Sequence, residues 1–148
     1  MAGETMRFNA LVPELSVSDL AASKRFYLDA LGFTLDYARA ESQFAFISYG
    51  SAQIMLEQVN GHWATGKLEH PFGRGINLQI ASDDVEALRN KLTANGYALF
   101  RDIEEVEYRE NETLHRLKEF LVQDPDGYLL RFSQEMGAVR TSEARPYA

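Results

Sequence analysis

Few residues of this chain have the type and spacing to do chemistry. There is no cysteine, which excludes a disulfide, a thiolate metal site and a cysteine nucleophile. The histidines are His62, His70 and His115. None stands at helical or strand metal-ligand spacing from another, and they read as solvated loop residues. Glu104, Glu105, Glu107, Glu110 and Glu112 resemble a carboxylate cluster. General acid–base work needs two carboxylates held in fixed geometry, and nothing local fixes these, so 102–119 reads as an exposed acidic loop. Neither a nucleophile-elbow serine nor a phosphate-binding glycine loop is present.

Two residues stand out. Arg131 interrupts the apolar run of GYLLRFSQ and carries a charge that cannot be removed by deprotonation. It needs a partner, and Glu14 or Glu57 could supply one. Trp63 is the only tryptophan and lies in the glycine-rich stretch NGHWATGKLEHPFGRG, residues 60–75. An indole there is either a ligand platform or a ring packed under its loop or against a partner subunit. Phe44, Phe46, Tyr49 and Tyr108 are further aromatic candidates, with core packing the first reading of the phenylalanines.

The elements that position these residues come twice. SVSDLAASKRFYLDALGF (16–33) aligns without a gap to IASDDVEALRNKLTANGY (80–97), at an offset of 64 residues. Each copy reads as a helix with both ends marked, over 19–31 and 83–95. Ser or Asp can cap the first turn, and Asp83 with Glu86 has capping-box spacing. Gly32 and Gly96 stand where helices end. Leu20, Tyr27 and Leu31 form one apolar stripe; Val85, Leu88 and Leu92 form the other. Each helix follows a strand, at 8–17 or 75–81, and precedes three more: 33–39, 43–49 and 52–59, then 98–101, 117–123 and 128–134. Asp126-Gly127, after Pro125, turns the last hairpin. The chain is therefore a tandem βαβββ repeat, with modules at about 8–58 and 75–134, a linker at 60–75 and a tail at 135–148 of no clear period. The 148 residues suit one α+β domain, 1–148.

Most strands alternate a clean face with a mixed one. Ile54 and Leu56 oppose Gln53, Met55 and Glu57. Ile76, Leu78 and Ile80 oppose Asn77 and Gln79. Leu11, Leu15 and Val17 oppose Val12, Glu14 and Ser16. Tyr128, Leu130 and Phe132 oppose Leu129, Arg131 and Ser133. The clean faces take the helices. The mixed faces are either a concave, partly polar ligand cavity or wetted sheet.

Composition narrows the partners. Hydrophobic residues make up 45% and charged residues 25%, an ordinary globular balance. The formal charge of −7 argues against a general nucleic-acid surface. No apolar run approaches membrane-spanning length, and the N-terminus lacks a signal-peptide core, so the expectation is a cytoplasmic protein.

The doubled unit, with PELSVSDLAASKRFYLDALGF and a closing FLVQDPDGYLLRF, resembles the vicinal-oxygen-chelate superfamily over about residues 8–134. That superfamily covers glyoxalase I, extradiol dioxygenases, fosfomycin-resistance enzymes and bleomycin-resistance proteins. The resemblance implies a curved mixed sheet with helices on its outer face. Its metalloenzymes carry His or Glu ligands on the first, fourth, fifth and eighth strands, positions that fall here at Val12, Met55, Asn77 and Arg131. Those residue types imply no metal and no cofactor. LLRF after DPDG, and Pro13-Glu14-Leu15, resemble the bleomycin-resistance branch, which implies a non-catalytic homodimer binding its drug in grooves between subunits. The expected ligand is a flat, cationic compound, met by Trp63, Tyr108, Glu57, Asn77, Arg131, Phe46, Glu14 and Met55. The alternatives are a metal-dependent lyase, isomerase or dioxygenase with a displaced ligand set, and a structural or regulatory module without a small ligand.

Overall fold

The computed structural model describes residues 6–141. The chain divides into two compact units, one ending at Glu69 and the other beginning at His70. The first holds strand β1 (Glu14–Val17), helix α1 (Leu20–Lys24) continued as a π-helical stretch (Arg25–Ala30), and strands β2 (Thr34–Arg39), β3 (Phe44–Tyr49) and β4 (Ala52–Gln58). The second holds β5 (Asn77–Ala81), α2 (Val85–Ala94), β6 (Arg101–Glu110), β7 (Thr113–Gln123) and β8 (Leu129–Arg140). The tandem βαβββ order is as the repeat implied. The strands bond as two four-stranded mixed sheets, β1-β4-β3-β2 and β5-β8-β7-β6.

In each module the first strand runs parallel to the last, and the rest are antiparallel. A parallel pair needs a crossover, and the helix supplies it. Asp19 caps α1, its carboxylate accepting from the amides of Ala21 and Ala22 at 3.0 and 3.3 Å. Asp84, rather than Asp83, caps α2 and accepts from Ala87 N–H at 3.0 Å. The expected single helix over 19–31 widens after Lys24: Leu31 N–H bonds Phe26 C=O at 3.0 Å, a step of five residues. The wide turn seats Phe26 and Tyr27, both fully buried, edge to face at 5.0 Å.

The clean faces form the cores. Cross-strand rows Ala45–Leu56–Leu15 and Ile47–Ile54 lie buried in the first module. In the second, Phe120–Phe132–Ile80 forms one buried row, and Val122 and Leu130 form another, ending at the half-buried Leu78. Phe120 and Phe132 stack at 5.4 Å, and Val85, Leu88 and Leu92 of α2 are buried. Burial of each such side chain contributes about 1.5–3 kcal/mol. The DPDG turn closes as read: Asp124 accepts from the amides of Asp126 and Tyr128, each at 2.9 Å.

Five expectations are corrected. The segment 102–119 is not a loop: it supplies nearly all of β6 and the first part of β7. The predicted strand at 98–101 moves accordingly to Arg101–Glu110. Its polar side chains pair across the ladder, Arg116 in an ion pair with Glu107 at 3.1 Å and His115 hydrogen-bonded to Glu110 at 2.9 Å, so a strand forms without apolar alternation. The tail is ordered through Arg140, because β8 continues past Ser133 to pair with Thr113–Leu117. The rest of the tail, 142–148, lies outside the described residues. The first strand begins only at Glu14, which leaves Leu11 82% exposed instead of in the core. Ile76 likewise precedes β5 and is 62% exposed.

Candidate functional site

The mixed face of the first sheet is built from two cross-strand rows. One runs Arg39–Phe44–Glu57–Ser16, the other Tyr37–Phe46–Met55–Glu14. Strand pairing thus brings Glu14, Met55 and Glu57, which alternation places on the mixed faces of their strands, onto one surface with Phe46. Tyr37 stacks on Phe46 at 5.2 Å with 14° between ring planes. Phe8 meets the same two rings edge-on, at 6.4 and 5.4 Å. Phe44 and Phe46 are buried although they lie on the mixed side, because this aromatic layer covers them. The Arg39 guanidinium carbon lies 3.9 Å from the Phe44 ring centre. Burial raises the Glu14 pKa, the negative charge of Glu57 raises it further, and Arg39 partly opposes both.

Beside this face lies a groove of about 530 Å³, lined by residues 41–43, 57–60, 62 and 63. Trp63 is 66% exposed on its wall, with Glu41 and Glu57 as the carboxylates. Asn60 donates to Glu57 Oε1 at 2.5 Å, and His62 meets Trp63 edge-on at 6.4 Å. Glu57 belongs to both the groove and the aromatic rows.

The second module carries Arg131, Tyr108 and Asn77. Arg131 donates to Gln79 Oε1 at 2.9 Å and to the Tyr108 hydroxyl at 3.3 Å. Tyr108 in turn donates to Glu119 Oε1 at 2.7 Å, and Ser133 donates to Glu119 Oε2 at 3.1 Å. Glu119 is 4% exposed, so these two hydroxyls replace the water a carboxylate would otherwise hold. Desolvation, followed by Glu119, raises the Tyr108 pKa and keeps the phenol protonated at neutral pH. Arg131 forms no ion pair among the described residues, and its buried Nε has no hydrogen-bond partner. Within its own module its two acceptors are neutral, with Glu119 one hydroxyl further on. Asn77 opens β5 opposite Leu129 and is exposed.

The positions that resemblance marks for metal hold Val12, Met55, Asn77 and Arg131. An aliphatic chain, a thioether, a carboxamide and a guanidinium do not fit a hard or borderline dication. Among the described residues, no three His, Asp or Glu side chains group as a metal site elsewhere. No helix among the described residues is long and apolar enough to cross a membrane.

Sequence reasoning missed Arg39, Glu41 and Glu119. Arg39 was discoverable: it follows Tyr37 by two residues and so shares its face. Glu119 falls in the expected strand 117–123, but its partners Tyr108 and Ser133 come from neighbouring strands whose register one strand does not reveal. Asn111, the left-handed hairpin residue at φ 52° between β6 and β7, was the available signal for two strands there.

Comparison with known proteins gives a consistent frame. The family model of the Glyoxalase/Bleomycin resistance protein/Dioxygenase superfamily matches residues 7–132. No curated protein matches the chain. A solved superfamily member from Vibrio splendidus 12B01 is 31% identical, covering 83% of this chain and 95% of its own, with a TM-score of 0.41. TioX from Micromonospora sp. ML1 is 17% identical over 87% of this chain and 100% of its own, with a TM-score of 0.67. The virulence protein STM3117 from Salmonella typhimurium is 21% identical over 87% and 98%, with a TM-score of 0.61. The last two are likenesses of fold.

Proposed function

The chain belongs to the glyoxalase/bleomycin resistance protein/dioxygenase superfamily, and within it we propose a non-catalytic, cytoplasmic protein that sequesters a flat, cationic small molecule, of bleomycin-like chemistry, as a homodimer. The observation that carries this reading is the groove in which exposed Trp63 stands with Glu41 and Glu57. A ring face attracts a cation by about 0.5–2 kcal/mol, more as water is excluded. The two carboxylates add a longer-range attraction that salt weakens. The −7 net charge has the same sign. No reaction step is assigned, because the residues at the family's metal positions do not fit a metal.

The test is Trp63 fluorescence during titration at low salt with planar aromatic cations, bleomycin-like compounds included, and with anions of matched shape. The expected result is saturable quenching by the cations, absent in Trp63→Phe. Saturable binding of the anions alone contradicts the proposal.

One observation favours a second reading. Arg131 has two neutral hydrogen-bond partners, the Gln79 carboxamide and the Tyr108 hydroxyl, and no ion pair among the described residues. Such a guanidinium suits a carboxylate or carbonyl oxygen through charge-assisted hydrogen bonds. Under this reading the anionic arm binds and Arg131→Met abolishes it, while Trp63→Phe leaves it unchanged.

A further inference from the structure

We infer that the aromatic face of the first sheet is a binding site for a planar nitrogen cation of the guanidinium or amidinium class, and that Arg39 is its built-in occupant. This deepens the cation-binding reading and rests on it.

Three observations meet here. The Arg39 guanidinium lies over Phe44 at 3.9 Å and within 5.9 Å of the Tyr37 ring centre. The same cross-strand row continues from Phe44 to Glu57, and the neighbouring row ends at Glu14. Arg39 is exposed and forms no ion pair among the described residues. An exposed arginine with two carboxylates on the same face would be expected to seek one of them. It lies on a ring instead, at the distance of a stacked cation–π contact. The site therefore demonstrates its own preference: a flat, delocalised cation resting on Phe44, with carboxylates one and two strands away to receive its N–H groups.

Arg39 lies on the edge strand β2, near the helical turn Ala40–Ser42 that reaches the groove through Glu41 and Ser42. Its side chain projects from an edge strand, and displacing its guanidinium would uncover the Phe44 ring. The groove and the aromatic row share Glu57, which pairs across the strands with Phe44. Arg39 thus acts as an intramolecular competitor: it keeps the ring from water when the site is empty and yields it to a cation that binds better. A ligand with one positive, planar head is selected over a compact ammonium, which cannot lie flat on Phe44.

The experiment is calorimetric titration of the full chain and of Arg39→Ala and Arg39→Gln with benzamidine, with thermal melts confirming that the variants fold. Removing the competitor should tighten benzamidine binding by about 2- to 30-fold, the range that one cation–π contact represents. Arg39→Lys should fall between, since an ammonium still competes but does not stack. Equal or weaker binding in both Arg39 variants, with the wild-type protein binding, overturns the inference and leaves the cation reading standing. Binding in neither wild type nor variants overturns both.

Discussion

Glu119 shows what a single buried charge demands of its neighbours. Its two oxygens each take one hydroxyl, from Tyr108 and Ser133. Tyr108→Phe removes one of them and leaves a desolvated carboxylate half satisfied, a cost of about 1–3 kcal/mol. Urea denaturation should show that loss without a change in the slope of the transition. Glu14 offers a pH test. Its pKa is raised by burial first, then by Glu57, against the pull of Arg39. As pH rises, the unfolded chain ionises this group before the folded one does. The stability it contributes is complete below the ordinary glutamate value of 4.5 and is lost as pH climbs through the raised folded value. Glu14→Gln should therefore flatten that decline in urea midpoints and leave the variant at least as stable as wild type at neutral pH. The same protonation weakens cation binding as pH falls.

At the scale of elements, the chain was legible where pattern and packing agree. The gapless repeat marked both helices, and the alternation of Ile54–Leu56 and Leu130–Phe132 found the buried sides of their strands. The DPDG turn was legible because Asp, Pro and Gly each have one conformational use there. Gly127 has φ 96°, and a Cβ on it would lie 2.5 Å from the Pro71 backbone. Gly127→Ala should cost about 3 kcal/mol from strain and overlap together, read as a lowered denaturation midpoint. Legibility failed at 102–119, because alternation is invisible when both faces of a strand carry charge. Edge strands such as β6 tolerate this, since charge there discourages pairing with other chains. The candidate site was half legible for the same reason: Glu14, Met55 and Glu57 follow from strand period, while the place of Phe46 beside them and the Arg39–Phe44 contact depend on register, which single strands do not reveal. Hydrogen exchange offers the check at this scale. Amides of Leu114–Val122 bond to strands on both sides and should be protected together; rapid exchange across that segment would return it to a loop.

For the whole molecule, the assembly and its ligand are the outstanding claims. Leu11, Ile76 and Phe100 are large apolar side chains at 82, 62 and 54% exposure. A second copy of the chain that covered any of them would gain from burying apolar surface. Light scattering at micromolar concentration should report a homodimer, and a monomer there would remove the paired grooves from the proposal. The most direct measurement is a calorimetric comparison of benzamidine with benzoate, two molecules alike in shape and opposite in charge, at low salt. Benzamidine should bind at one site per chain, more weakly in Glu57→Gln and with added salt, while benzoate gives no heat. Saturable benzoate binding lost in Arg131→Met, with benzamidine silent, would contradict the account and move the site to the second module.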